Sequence, residues 1–315
     1  DKLLVGPKLQ NDIGQVVTRF RLYKVAMSCD IKQMYREIAL HPDDSVYQHI
    51  FFRFSPDEPV REWELVRVTF GISSAPFLAL RTLKQLVLDE GPSYPRAVQV
   101  ISQESYIDDL LTGGSSVDEV LQLKEELIAL LSSGGFQLDK WASSEPGVFS
   151  GMGATPRELG VGGSDSLKVL GLWWDPTPDV FRFKIDVTDD PFTKRGVLSR
   201  IARIYDFNGY LGPVTLGIKS FLQQLWMETL GWDDSLPGKF HNQWNRTLDE
   251  LPLLESVSIP RCILDPTWYR IQFVGFSDAS SLGMAAVVYL RAETTFGVSC
   301  HLIKSKTKVA PLKTW

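Results

Sequence analysis

The stretch SQESYIDDLLTGGSS, residues 102–116, sets two aspartates, Asp108 and Asp109, side by side between apolar neighbours. Tyr106 and Ile107 precede them; Leu110 and Leu111 follow, and Gly113 and Gly114 close the run. Ionised carboxylates are rarely buried without a partner. A bare Asp-Asp pair is ordinarily a solvated turn, so the surroundings must decide. Upstream, KVAMSCD reads as a strand that ends at Asp30 and is followed by a turn. A hairpin carrying Asp108 and Asp109 at its turn can set them beside Asp30 on a neighbouring strand. Three carboxylates so gathered repel one another, and their pKa values rise unless a cation neutralises them. Hard oxygen donors suit Mg2+. Two such ions ~4 Å apart are the arrangement used for in-line phosphoryl transfer.

The rest of the chain bounds this reading. Its 315 residues suffice for two or three domains with a sizeable core. With 44% hydrophobic and 23% charged residues, wholesale disorder is excluded. Cys29, Cys262 and Cys300 are far apart and odd in number, which is neither a disulfide framework nor a zinc pattern; it suits a reducing, intracellular compartment. No apolar run reaches the ~20 residues of a membrane helix, so no membrane partner is expected. The net charge of -5 argues against indiscriminate nucleic-acid binding but leaves room for a local basic channel. The chain opens on Asp1-Lys2-Leu3 without a signal-like segment and reads as a piece of something longer.

Residues 46–54 and 62–70 alternate apolar and polar and predict a hairpin around Ser55-Pro56-Asp57-Glu58-Pro59. Helical spacing predicts helices over 73–90, 117–131, 193–206 and 214–230. Strands are expected at 136–141, 167–174 and 180–185, and three in succession over 270–303. The Gly-rich segment 145–166 lacks the GKS or GKT of a phosphate-binding loop and reads as a surface loop.

Five segments in order carry a resemblance to reverse transcriptases. Tyr106-Ile107-Asp108-Asp109 is similar to their [YF]-x-D-D motif, and Asp30 in SCDIKQMY to the first catalytic motif of the palm. Phe70-Gly71-Ile72-Ser73-Ser74-Ala75-Pro76 resembles the start of the helix beneath the incoming nucleotide. GFQLDKW, 135–141, resembles the motif that follows, and Leu170-Gly171-Leu172 the primer grip. ALHP at 39–42, the stretch from LSRIARIYDFNGYLGP to SFLQQLW, LGWDDSLP and SKTKVAP narrow the likeness to the Pol polyprotein of BEL/Pao-type LTR retrotransposons, over essentially the whole chain. Residues 206–213 depart from that family's usual turn.

The resemblance implies an α/β (α+β) right-hand polymerase: a fingers remnant and palm over 1–175, a thumb or connection over 176–265, and a truncated RNase H-like sheet over 266–315. It implies an RNA-directed DNA polymerase whose Asp30, Asp108 and Asp109, with the carbonyl of Ile31, hold two Mg2+ ions, or Mn2+ in their place. Tyr35 would exclude a ribose 2'-hydroxyl; Phe70 and Gly71 would border the dNTP. Lys140 would protonate the leaving pyrophosphate, although a solvated surface lysine reads equally well. Tyr106 and Gly171 would touch the primer. Arg200 and Arg203, on one helix face in a stretch whose only acid is Asp206, would contact template-primer phosphates, against an ordinary solvated face. Asp278 in FSDAS would be the first metal-binding aspartate of the RNase H-like part, with no RNase H activity expected.

The implied partners are RNA and DNA template-primer, dNTPs and other Pol and Gag products, in a cytoplasmic virus-like particle or the nucleus. Rival readings are an RNA-dependent RNA polymerase, which would carry Gly-Asp-Asp and no bulky gate at Tyr35, and an inactive fragment or domesticated nucleic-acid-binding module. An aspartic peptidase is not expected, because the sequence has no Asp-Thr-Gly or Asp-Ser-Gly.

Overall fold

A computed structural model describes residues 3–149, 167–169, 172–185, 190–204 and 206–312. The chain divides into two compact units, Asp1–Leu159 and Gly160–Trp315. The expected loop over 145–166 falls mostly outside the described residues.

The first unit runs α1 (Ile13–Phe20), β1 (Val25–Ile31), α2 (Met34–Glu37), α3 (Pro42–Ser45), β2 (His49–Phe52), β3 (Arg61–Glu64), α4 (Ala75–Glu90), α5 (Pro95–Gln103), β4 (Ser105–Tyr106), β5 (Asp109–Gly114), α6 (Val117–Ser133) and β6 (Leu138–Ser143). Four strands form one antiparallel sheet in the order β4-β5-β1-β6. Side chains alternate across a strand, and β1 uses both faces. Val25, Met27, Cys29 and Ile31 join a buried cluster with Ala79 and Leu83 of α4, Val100 of α5 and Leu123 and Leu127 of α6. Ala26, Ser28 and Asp30 point the other way, where α1 buries Val16, Val17 and Phe20. Local signals start the helices: Asp12 accepts the Gln15 N–H at the head of α1, and Ser116 that of Glu119 at the head of α6.

The hairpin β2–β3 forms, but as a shorter ribbon than the alternation predicts. After Glu64 the chain turns back on 38–40: Leu40 N–H donates to the Val66 carbonyl and Val68 N–H to that of Ile38, both at 3.0 Å. Its strand residues are exposed on both faces. Helix α5 had no counterpart among the sequence expectations; it starts at Pro95 and buries only Ala97, Val100 and Ile101.

The second unit contains β7 (Leu167–Val169), β8 (Leu172–Asp175), β9 (Val180–Arg182), α7 (Lys194–Ala202), α8 (Gly212–Met227), α9 (Gly238–Glu250), β10 (Ser258–Pro260), β11 (Trp268–Ala279), β12 (Gly283–Thr294) and β13 (Gly297–Val309). One small sheet is ordered β10-β9-β8-β7, and three long strands form a second, β11-β12-β13. Arg261 is fully buried and pairs through Nε and Nη2 with the carboxylate of Asp179, each at 2.6 Å. The same carboxylate accepts from the buried Trp174 indole. Phe221 of α8 stacks on Trp244 of α9, a helix that buries Phe240 and Trp244 on one face and had no counterpart among the sequence expectations.

The departing turn at 206–212 has a definite task. Asp206 accepts the Tyr210 and Leu211 N–H groups, and the loop then lies against β13. Ser305 N–H donates to the Asn208 carbonyl at 2.7 Å, and the Ser305 hydroxyl to that of Gly209. Gly209 sits at φ +78° with no room for a Cβ against the Ser305 carbonyl.

Candidate catalytic carboxylate site

Tyr106 pairs with Asp109, so Ile107 and Asp108 are the two central residues of a tight hairpin. Ile107 has φ +58°. That turn position is normally given to Gly, and a β-branched residue there is strained. β5 then runs antiparallel to β1 in a register that places Asp109 opposite Asp30. The Ile31 N–H donates to the Asp108 carbonyl at 2.9 Å, fixing the turn to the end of β1. The structure thus brings together all three aspartates that the sequence singles out.

β6 contributes a fourth group. Asp30 faces Asp139, but the register slips between Ser28 and Asp30, and Lys140 occupies the irregularity with φ +53°. Bulges re-aim side chains, and here the Lys140 ammonium reaches the Asp30 carboxylate at 2.8 Å. Two residues in left-handed backbone, Ile107 and Lys140, therefore flank one carboxylate cluster. Such strain persists only where surrounding structure imposes it, and it concentrates at functional sites. The sequence offers no sign of either, since neither position is Gly or Asn.

Burial raises the Asp108 carboxyl above its usual range, and the charge of Asp30 raises it further against the opposing pull of Lys140. Asp109 is pushed up to about 7 by burial, then by Asp108 and Asp30. The three carboxylates therefore sense one another, and the single lysine does not balance them. Among the described residues, no set of three or more His, Cys, Asp or Glu side chains already converges on one metal position. The donor chemistry nonetheless fits a hard divalent cation: carboxylate oxygens only, with surplus negative charge that such an ion relieves.

Tyr35 lies on α2, half-buried against the core; burial and then the charge of Asp108 raise its hydroxyl. Phe70 is exposed, with the Arg36 guanidinium 5.7 Å from its ring. Gly71 has φ +93° and open space where a side chain would stand. Gly171 lies outside the described residues. Asp278 is in the second unit, on β11, exposed and bonded to the Ala279 N–H.

The arginines expected on phosphate are placed otherwise. Arg200 is buried and pairs with Asp190 at 3.0 Å, and Arg203 grips the same carboxylate with both terminal nitrogens. Arg195 pairs with Asp233, and Lys194 donates to the Glu228 and Leu230 carbonyls. The acids that pair with its arginines, Asp190 and Asp233, lie outside the stretch in sequence, so the arginines read as free when the fold pairs them.

Residues 193–315 match the family described as Pao retrotransposon-like RNaseH-like domain. No curated protein matches the sequence significantly. Among solved structures, the chain is similar to a foamy viral protease-reverse transcriptase in complex with double-stranded DNA, with TM-score 0.60 and 14% identity, over 98% of this chain and 46% of that one. A foamy viral protease-reverse transcriptase in complex with an RNA/DNA hybrid matches with TM-score 0.57 and 13% identity, over 96% and 36%. The chain spans less than half the length of either. Its mixed α/β fold is similar to that of these foamy viral proteins, and its sequence from 193 onward to the Pao retrotransposon-like RNaseH-like domain.

Proposed function

We propose that this chain is the RNA-directed DNA polymerase part of a BEL/Pao-type retroelement Pol, adding dNTPs to a primer 3'-hydroxyl. One observation carries the reading: the β1–β5 register sets Asp30 opposite Asp109 while the strained turn at Ile107 holds Asp108 beside both. Residues 1–175 would supply the fingers remnant and palm, 176–265 the thumb or connection, and 266–315 the start of an RNase H-like sheet. The partners are RNA and DNA template-primer and dNTPs.

Asp30, Asp108 and Asp109, with the Ile31 carbonyl, would hold Mg2+ or Mn2+. When bound, the ions supply activation of the 3'-hydroxyl and charge stabilisation of the leaving pyrophosphate. The protein's own groups do the rest. The short turn and the Ile31–Asp108 hydrogen bond hold the carboxylates in place before substrate arrives, so little reorganisation remains at the moment of reaction. Lys140 neutralises Asp30 and, released from it, is the site's proton donor to pyrophosphate. Tyr35, near enough to Asp108 to feel its charge, would stand against a ribose 2'-hydroxyl. Phe70 and Gly71 leave an open border for the base and sugar. A second reading, a binding module without catalysis, is favoured by one contact only, the Lys140–Asp30 pair, which occupies a carboxylate the chemistry needs.

Nucleotide choice tests the assignment. On poly(rA)/oligo(dT) the chain is expected to prefer dTTP to UTP. Tyr35→Ala should cut that preference about 10- to 100-fold, the range a single steric contact supplies, mostly by admitting UTP. An unchanged ratio of kcat/KM values would remove Tyr35 from the nucleotide pocket. Incorporation of UTP in preference to dTTP by the parent would make the enzyme an RNA polymerase.

A further inference from the structure

We infer that Tyr23 and Glu104 are positioning residues of the carboxylate site: the buried bond between them sets the hairpin that carries Asp108 and Asp109 against Asp30, and so sets how tightly the site holds a divalent cation. The inference rests on the reading of those aspartates as cation ligands and names what supports them. Three consecutive residues lead into the hairpin, and the stretch 11–23 holds each of them. The Arg19 guanidinium donates to the Gln103 carbonyl at 3.3 Å. The Tyr23 hydroxyl donates to the Glu104 carboxylate at 2.5 Å. The Asn11 side-chain amide donates to the Ser105 carbonyl at 2.9 Å. Tyr106, Ile107 and Asp108 follow directly. Glu104 is also tied through its backbone: its N–H donates to the Val100 carbonyl of α5 at 2.8 Å, and its carbonyl accepts the Leu111 N–H of β5 at 3.0 Å.

Tyr23 precedes β1, Glu104 precedes β4, and β5 lies between those two strands in the sheet. The bond therefore ties the two neighbours of β5 together. A Cβ at Gly113 would lie 2.7 Å from the Tyr23 Cβ, so Tyr23 packs where β5 carries no side chain. Burial, then the bond to Glu104 and its charge, push the Tyr23 hydroxyl well above its usual range, so it stays a donor at every working pH. Glu104 is 1% exposed. One of its oxygens also accepts from the Gln99 amide at 3.3 Å, while the other is buried with no hydrogen bond among the described residues. A buried carboxylate so incompletely bonded lowers stability. An apolar pair of similar shape would close the same junction at less cost. What the hydrogen bond adds is direction: it fixes the path by which the chain leaves α5 and enters β4. Ligand carboxylates must be held to within about 0.5 Å to share a cation, and these lie just beyond that junction.

The test is Mn2+ binding by the full chain alone, without template, primer or dNTP, read from the loss of the free ion's electron paramagnetic resonance signal. Tyr23→Phe removes only the hydroxyl and should weaken Mn2+ binding about tenfold, the lower end of what losing a supporting hydrogen bond around a metal costs. Glu104→Gln keeps an acceptor oxygen for Tyr23 and should bind Mn2+ as the parent does. The double variant Tyr23→Phe/Glu104→Leu closes the junction with apolar groups. It should melt no lower than the parent and still bind Mn2+ about tenfold more weakly, which keeps the test open if the single Phe variant does not fold. A merely structural pair would leave Mn2+ affinity at the parent's value in every variant that folds, and that result would overturn the inference while leaving the aspartates a metal site. A parent that binds no Mn2+ would overturn the inference together with the metal-binding reading beneath it.

Discussion

Asp108→Asn should yield a chain that folds, binds primer-template and adds dNTPs at least about a thousandfold more slowly than the parent. Asparagine keeps the shape and the turn but removes the charge that a divalent cation needs. The same change should stabilise the protein in metal-free buffer. Burial and the Asp30 charge hold the Asp108 carboxyl above its ordinary range in the folded state. For an acid whose folded pKa is raised, ionisation opposes folding: the penalty is complete above the folded pKa and vanishes below the unfolded one. The variant should therefore melt higher than the parent at about pH 7 in EDTA, and the gap should close as pH falls toward about 4. Asp109, pushed up to about 7, adds to the same penalty in the parent. Removing one charge also relieves it, since Asp108 is among the causes of its shift. A site that lowers stability for function behaves in this way. An Asp108→Asn chain that extends primers at the parent's rate would take Asp108 out of the chemistry. A variant that melts lower at neutral pH would mean the cluster is a structural network instead.

Gly113→Val should destabilise the first unit by about 3 kcal/mol or more, and with it the alignment of the site. Gly113 stands opposite Ala26, and a Cβ there would lie 2.2 Å from the Val25 carbonyl oxygen and 2.7 Å from the Tyr23 Cβ. Both are backbone or near-backbone atoms that cannot swing aside. β5 would have to shift against β1, and this same ladder sets Asp109 opposite Asp30. A slip of one residue sends alternate side chains to the wrong face. Gly114→Ala is the control. Its Cβ would meet the ends of the Glu119 and Val120 side chains at 3.1 Å, which can yield, and about 1 kcal/mol or less is expected. Urea unfolding measures both. A Gly113→Val midpoint close to that of Gly114→Ala would show that the β1–β5 register tolerates movement.

The carboxylate cluster was legible because its two halves lie in unlike surroundings: apolar strands that have no reason to hold aspartate unless it is used. Asp30, Asp108 and Asp109 follow from that contrast, and the β1–β5 pairing brings them together. The strands of the last sheet and helices α4, α6, α7 and α8 follow from periodicity to within a few residues. What the sequence hides is backbone strain and distant partners. Lys140 is easy to single out but its bulge is not, because no Gly marks it. Ile107 occupies a glycine-type turn position for the same hidden reason. Arg200 and Arg203 look free along the helix, yet Asp190, just ahead of it, takes both. Helices α5 and α9 were missing from the sequence expectations although each buries a one-sided stripe, Ala97, Val100 and Ile101 in α5 and Phe240 and Trp244 in α9.

The most direct test of the central claim is single-turnover incorporation of dTTP on poly(rA)/oligo(dT), with and without Mg2+, with the chain in excess of the duplex and concentrated enough to saturate it. The account requires primer extension that depends on Mg2+ or Mn2+, stops in EDTA and is lost in Asp30→Asn. Saturated binding with no extension in either metal would contradict it and leave a nucleic-acid-binding module whose Asp30 is held by Lys140.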